Sequence, residues 1–424
     1  DVYKRQLKEM SYFDSQFRAG LGYHQPATPL SAIGLIPAAT GATASKYVAR
    51  RETPVFIAEN CTQCMNCIAA CPDTALPNTA QDIGTILETA FDSYVTKDSD
   101  RELLTKSLAV IESDVRAAMQ IEIKEKRSTS FTDLVARVLA DVDVSAESKN
   151  EVEQILSHVP VAYNKVNAIF AGPEKKKAGS GGVFSIAVSD LCKGCAECVT
   201  ECGDHDALRM VADSEEVNAG VATSSAFFKL LPESNPAHLG KYIAGDPMAS
   251  RQATLRSHLM LRRNYEALVS GDGACAGCGE KSVLRAIASV TEAYMRPIYH
   301  AKADRLDARA TELSKHGPER LAELAKRAPD EHKLFTQAVA HVIMGLGGES
   351  EADTQARIAS APSFSDSEII DALATVMHQD AFNHRDLQAI DGRDANGMSV
   401  MAMGASTGCN SVYGATPPNN PHPY

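Results

Sequence analysis

The sequence predicts an α+β fold, and three observations predict it. A cysteine pattern, C-x2-C-x2-C-x3-C, occurs twice, each time behind a short apolar run that reads as a strand. Long stretches of helical period separate and follow the two copies. A late apolar run, MSVMAMGA (398–405), reads as a further, buried strand.

The elements follow in chain order. Residues 1–52 read as a connector: LSAIGLIPAATGATASKY is rich in small residues, Pro and Gly and has weak periodicity. PVFIAEN (54–60) reads as a strand running into the first cysteine loop, FSIAVSD (184–190) as its counterpart before the second, and ALRMV (207–211) as the strand after it. Between the copies, residues 78–180 read as a helical insertion. Ile83, Ile86, Leu87, Ala90, Phe91 and Tyr94 keep the helical period, as do Phe131, Leu134, Val135, Val138, Leu139 and Val142. Ser130 with Asp133 predicts a cap for the second of these helices. Both stripes read as packing faces. The insertion is expected to end in a flexible linker with a solvated lysine run, PEKKKAGSGG.

Residues 216–265 form a linking segment of mixed pattern, with TLRSHLMLRRNYEAL (254–268) a candidate helix. Residues 281–295 read as a helix with Val283, Leu284, Ile287, Val290 and Tyr294 on one face. A second helical insertion is expected at about 300–390. There Ser365 and Glu368 frame a capping box ahead of Ile369, Ile370, Leu373, Val376 and Met377. Its histidines, His378 and His384 among them, lack metal-site spacing and read as surface or core residues.

Length and charge bound the function. At 424 residues the chain suffices for two or three domains with a sizeable core. A formal charge of -12 argues against nucleic acid or an anionic membrane as the main partner. No apolar run approaches the roughly 18 residues of a spanning helix. The start, DVYKRQLKEM, has neither an initiator Met nor a signal-peptide core, which predicts a fragment of a longer, cytoplasmic protein.

Eleven cysteines carry the chemistry. The odd number and missing secretory signal favour metal ligation over disulfides. The copies are Cys61, Cys64, Cys67, Cys71 and Cys192, Cys195, Cys198, Cys202. Three thiolates at two-residue gaps wrap three corners of an iron–sulfur cubane. The fourth, a helical turn onward, points elsewhere, and in two-cluster ferredoxins it ligates the other cluster. Cys61, Cys64, Cys67 and Cys202 are therefore expected to hold one [4Fe–4S] cluster, and Cys192, Cys195, Cys198 and Cys71 a second. Structural zinc, which pairs C-x2-C units across a longer gap, is the weaker reading. The C-x3-C-x2-C spacing of radical-SAM enzymes is absent. Pro72 fits the usual C-P ending, whereas Gly203 stands in its place in the second copy. Residues 53–77 and 181–215 are thus expected to form a duplicated, ferredoxin-like two-cluster domain that relays electrons.

Two further motifs are more specific. GACAGCGE (273–280) precedes a helix, and TGCNSVYGATPP (407–418) follows the late strand. Together with the cysteine domain just upstream, and IPAAT…ARRETPVF ahead of that, they resemble the pyruvate:ferredoxin (flavodoxin) oxidoreductase family. The resemblance covers about half of the chain, and the two helical insertions depart from the family's common pattern. It implies that residues 266–424 begin a truncated α/β thiamine-diphosphate domain. It also implies that Cys275, Cys278 and Cys409 are three ligands of a third [4Fe–4S] cluster, whose fourth ligand belongs further downstream. Glu280 matches a position that contacts thiamine diphosphate and favours its reactive tautomer, which would make it catalytic. Cys409 also matches a cofactor contact, and the Mg2+ and diphosphate loop belongs downstream. The implied reaction is oxidative decarboxylation of pyruvate or another 2-oxo acid to acyl-coenzyme A in a homodimer, with ferredoxin or flavodoxin taking the electrons.

Other readings of these motifs are weaker. A thioredoxin-like pair would leave Cys409 without a role. Gly271-Asp272-Gly273 precedes the cysteine pair and reads as a turn rather than a thiamine signature. The alternative function is a stand-alone two-cluster electron carrier, or a relay subunit of another redox complex such as a hydrogenase. Such a protein needs neither GACAGCGE nor TGCNSVYG.

Overall fold

Two short antiparallel sheets sit among many helices in the computed structural model, so the fold is α+β. It describes residues 50–239, 258–266, 275–343, 364–385 and 408–410, together with Leu255 and Leu268. The strand expected at 398–405, most of TGCNSVYGATPP and most of the 1–52 connector lie outside these residues. The chain divides into two compact units at Tyr294–Met295.

In the first unit, β1 (Glu52–Phe56) leads through a single 3-10 turn into the first cysteine loop. The short helix α1 (Asn66–Ala70) and β2 (Asn78–Gln81) follow. The second copy mirrors this order: β4 (Val183–Ile186), the second loop, α7 (Glu197–Cys202) and β5 (Leu208–Ala212). The copies interlock. β1 pairs antiparallel with β5, placing Phe56 opposite Leu208, and β2 pairs antiparallel with β4, placing Asn78 opposite Ile186. Each strand entering a cysteine loop is therefore bonded to the strand leaving the other. Arg50 clamps the outer end of the first pair, its Nε donating to Thr53 Oγ1 at 2.6 Å and to Asp213 Oδ1 at 3.1 Å.

Between the copies run α2 (Ile83–Tyr94), α3 (Asp98–Lys124), α4 (Phe131–Ala140), α5 (Ala146–Ser157), the two-residue β3 (Val161–Ala162) and α6 (Ala171–Lys176). The predicted stripes of α2 and α4 face the core: Ile83, Ile86, Leu87, Phe91, Phe131, Leu134 and Leu139 are buried. Ser130 Oγ accepts the Asp133 N–H at 3.0 Å, the predicted cap. β3 joins the sheet of β2 and β4, so the insertion and the cysteine halves share one hydrophobic core.

Two expectations for this region are corrected. Residues 78–81, expected to open the helical insertion, are strand β2. Residues 173–182, expected to be a flexible linker, are tied down. Glu174 pairs with Arg116 of α3 and accepts the Gly181 N–H at 2.8 Å and the Gly179 N–H at 3.1 Å. Lys175, Lys176 and Lys177 are exposed, as expected.

After β5 come α8 (Glu215–Leu230), α9 (Arg262–Glu266) and α10 (Gly279–Arg327). The apolar face expected on α10 is corrected. Val283, Ile287, Val290 and Tyr294 are each more than half exposed, whereas Lys281, Arg285, Ser289 and Glu292 are buried. The reason is chemical. The first turns of α10 lie on the end of α1, where helix-terminal carbonyls need donors. Ser282 Oγ donates to Ala70 O at 3.4 Å and Arg285 Nη1 to Ala69 O at 3.1 Å.

The second unit, Met295–Val400, is helical in its described parts: the rest of α10, then α11 (Pro329–Ile343) and α12 (Asp366–Arg385). Ser365 and Glu368 form a reciprocal capping box, with N–H to side-chain bonds of 3.3 and 2.8 Å. Val376, placed on the packing stripe by its period, is instead exposed. His384 is buried, stacked on Tyr299 at 5.2 Å with its Nε2 2.6 Å from Lys302 Nζ, while His378 lies 2.9 Å from Asp307 at the surface. Among the described residues, no helix is long and apolar enough to cross a membrane.

Candidate functional site

The two cysteine loops are built alike, down to the backbone. Gln63 (φ 60°) and Gly194 (φ 66°) occupy equivalent places in the left-handed region, and so do Met65 (φ 67°) and Ala196 (φ 64°). Such φ values cost a non-glycine residue roughly 1–2 kcal/mol, so tertiary context must impose them. Their effect is to curl each loop around its cysteines and start α1 and α7 at the same relative place. Gly194 cannot carry the side chain that Gln63 does, since a Cβ there would lie 2.6 Å from Glu52 O.

Backbone amides point at the sulfurs. Gln63 N–H donates to Cys61 Sγ at 3.4 Å and Gly194 N–H to Cys192 Sγ at 3.5 Å, again equivalent positions. Ala75 N–H donates to Cys71 Sγ at 3.3 Å and Ala207 N–H to Cys202 Sγ at 3.2 Å.

The interlocked strands bring cysteines of both copies together. One pocket, partly open to solvent, is lined by Cys61, Cys64, Cys67 and Cys202. Its other walls are chiefly apolar and include Phe56, Met65, Ile68, Phe184 and Leu208. The fourth cysteine of the second copy thus joins the first three of the first.

The thiols also influence one another across the two copies. Burial pushes Cys61 up to about 12, and Cys64 and Cys202 add to the rise while the Gln63 N–H opposes it. Burial likewise pushes Cys198 up to about 12, with Cys71, Cys192 and Cys195 adding to it. Cys71 rises to about 11 through burial, opposed chiefly by the Arg285 guanidinium. Without a bound cation, burial favours the neutral thiol. All eleven cysteines are free thiols. Among the described residues no group of three or more His, Cys, Asp or Glu is arranged to hold a single metal ion.

Of the remaining site candidates, Cys275, Cys278 and Glu280 lie at the start of α10 and Cys409 in the short described stretch 408–410. Cys275 and Cys409 are exposed and Cys278 is half-buried. Gly277, between the pair, sits against the second loop: a Cβ there would stand 3.4 Å from Cys195 Cβ. Glu280 is exposed in the first turn of α10. Sequence reasoning missed the charged residues beneath this turn. Lys281 is buried and paired with the buried Asp73, which Lys193 also approaches at 3.6 Å. Arg285 donates through Nε to Thr74 Oγ1 at 2.7 Å and through Nη1 to Cys71 O. The polar residues at one helical face, Lys281, Arg285, Ser289 and Glu292, were the available signal.

These features define an α+β protein whose two cysteine loops share their fourth cysteines through crossed strand pairing. No protein-family model matches the chain, and no curated protein matches it either.

Proposed function

We propose that this chain is the electron-relay and cofactor-binding part of a 2-oxo acid:ferredoxin (flavodoxin) oxidoreductase, carrying two [4Fe–4S] clusters in a ferredoxin-like domain. The observation that supports the cluster part of the reading is the pocket walled by Cys61, Cys64, Cys67 and Cys202, and the motifs GACAGCGE and TGCNSVYG support the rest. A single ion would draw its ligands to one point. A cubane instead spreads four thiolates around a cage, and this donor set suits it: four sulfurs, apolar walls and amides aimed at sulfur. When bound, each cluster supplies a one-electron couple.

The chain's residues do the rest. Phe56, Ile68, Phe184 and Leu208 give the sulfurs apolar walls, and the Gln63 amide favours the thiolate form of Cys61. Arg285 and Lys281 fasten α10 to the segment after Cys71. That fastening sets Cys275 and Cys278 beside the second loop, which is where a third cluster and thiamine diphosphate belong in this reading. Glu280, Cys275, Cys278 and Cys409 are the residues proposed to serve them, with pyruvate or another 2-oxo acid, coenzyme A and Mg2+ engaged in the full-length homodimer.

Anaerobic reconstitution with iron and sulfide tests the reading. About eight iron and eight sulfide per chain are expected for two clusters. Iron without sulfide, or zinc bound in preference, would refute it. If the clusters load but adding thiamine diphosphate and a 2-oxo acid to the full-length protein reduces no ferredoxin, the chain is a plain electron carrier.

A further inference from the structure

We infer that Arg285 is a built-in counter-ion that raises the reduction potential of one cluster, the one closed by Cys71, above that of the cluster closed by Cys202. The inference rests on reading the eight cysteines as two [4Fe–4S] sites.

Arg285 is 2% exposed. Its hydrogen-bond partners are neutral oxygens: Thr74 Oγ1, Ala69 O and Cys71 O. Nη2 is buried without a hydrogen-bond partner, and the guanidinium lies 5.8 Å from the centre of the buried Tyr265 ring. The nearby carboxylate, Asp73, pairs with Lys281. A buried cation facing only neutral groups is strongly destabilising unless an anion compensates it. A cubane held by four thiolates is an anion and gains one more negative charge when it takes an electron. The guanidinium therefore stabilises the reduced form more than the oxidised one, which raises the potential.

The two sets differ in this respect. Arg285 hydrogen-bonds the backbone of Cys71 itself and the residues on either side of it, Ala69 and Thr74. Among the described residues, no Lys or Arg lines the pocket of Cys61, Cys64, Cys67 and Cys202. Two loops of nearly identical backbone thus differ in this cation, which comes from a helix outside the duplication.

The test uses the full chain, reconstituted anaerobically and titrated with dithionite, each cluster accepting one electron and followed by electron paramagnetic resonance. The Cys61→Ala/Cys202→Ala chain keeps only the cluster closed by Cys71, and the Cys71→Ala/Cys192→Ala chain keeps only the other. The first is expected to show the higher potential, and the reverse order overturns the proposal. Adding Arg285→Gln should lower the potential of the first chain by about 59 mV, a tenfold change for a one-electron couple. It should leave the second chain unmoved, and Arg285→Lys should retain most of the effect. Equal shifts in both chains, or none in the first, also overturn it. A wild-type chain that takes up no iron removes the cluster reading and this proposal together. A loaded chain whose potentials ignore Arg285 removes the proposal alone.

Discussion

Paired cysteine deletions separate crossed ligation from local ligation, because the two arrangements predict opposite iron contents. If each C-x2-C-x2-C-x3-C copy held its own cluster, Cys61 and Cys71 would serve the same cubane. The cavity instead groups Cys61 with Cys202. Removing Cys61 and Cys202 together should then take two ligands from one cluster and none from the other, leaving about four iron per chain of about eight. Removing Cys61 and Cys71 takes one ligand from each, and both clusters should be compromised, with iron falling well below four. Local ligation predicts the reverse pattern. The assay is iron and acid-labile sulfide per chain after anaerobic reconstitution and desalting, with circular dichroism confirming that the helices persist. A Cys61→Ala/Cys71→Ala chain that keeps four iron, beside a Cys61→Ala/Cys202→Ala chain that keeps none, would refute the crossed assignment.

Three further outcomes are expected. Gly194→Ala should cost about 1–2 kcal/mol for its positive φ and about 1–3 kcal/mol more for overpacking against Glu52 O. Gly179→Ala, at φ 82° with open space around its Cβ, should cost the first part only, and equal losses of melting temperature would remove the steric account. Glu174→Ala should cost about 3 kcal/mol by breaking its buried pair with Arg116. It should also speed tryptic cleavage at Lys175–Lys177, and an unchanged cleavage rate would mean the segment is not anchored there. Arg127 first, then Thr129, holds the Glu122 carboxyl down at about 2, below its ordinary 4.5. Its contribution is therefore complete above pH 4.5 and lost as pH falls towards 2. The stability gap between wild type and Glu122→Gln should shrink over that window, and a gap that stays constant would contradict it.

What the sequence disclosed and what it hid have physical causes. The strands beside the cysteine loops were legible because apolar runs abut a rigid spacing. The helices at 83–94 and 131–140 were legible because their stripes meet a core on one side only. β2 was not. Asn78-Thr79-Ala80-Gln81 has no apolar alternation, and its residues are buried through specific bonds such as Asn78 Nδ2 to Leu259 O at 3.1 Å. The face of α10 was misread because periodicity assumes an apolar neighbour, whereas α10 meets carbonyls and Asp73. The Arg50–Asp213 clamp joins residues far apart in sequence, and no local pattern announces it. Among the site residues, the spacing named the eight cysteines and suggested their crossing, but it gave no sign of the charge that Arg285 places beside Cys71.

The crossing also has a consequence for biosynthesis. A ribosome that has just released Cys71 has yet to make the strand partners and the fourth thiol that complete the first loop's surroundings. Cys202 lies 131 residues on, which at about 5–20 residues per second is roughly 7–26 seconds of further translation. During that interval the first four thiols stand unshielded by the second copy. The helices α2–α5 emerge in this window and pack against one another. In the folded chain these helices form a body that returns the chain to β2 and β1. The insertion thereby shortens the search that the nascent second half must make.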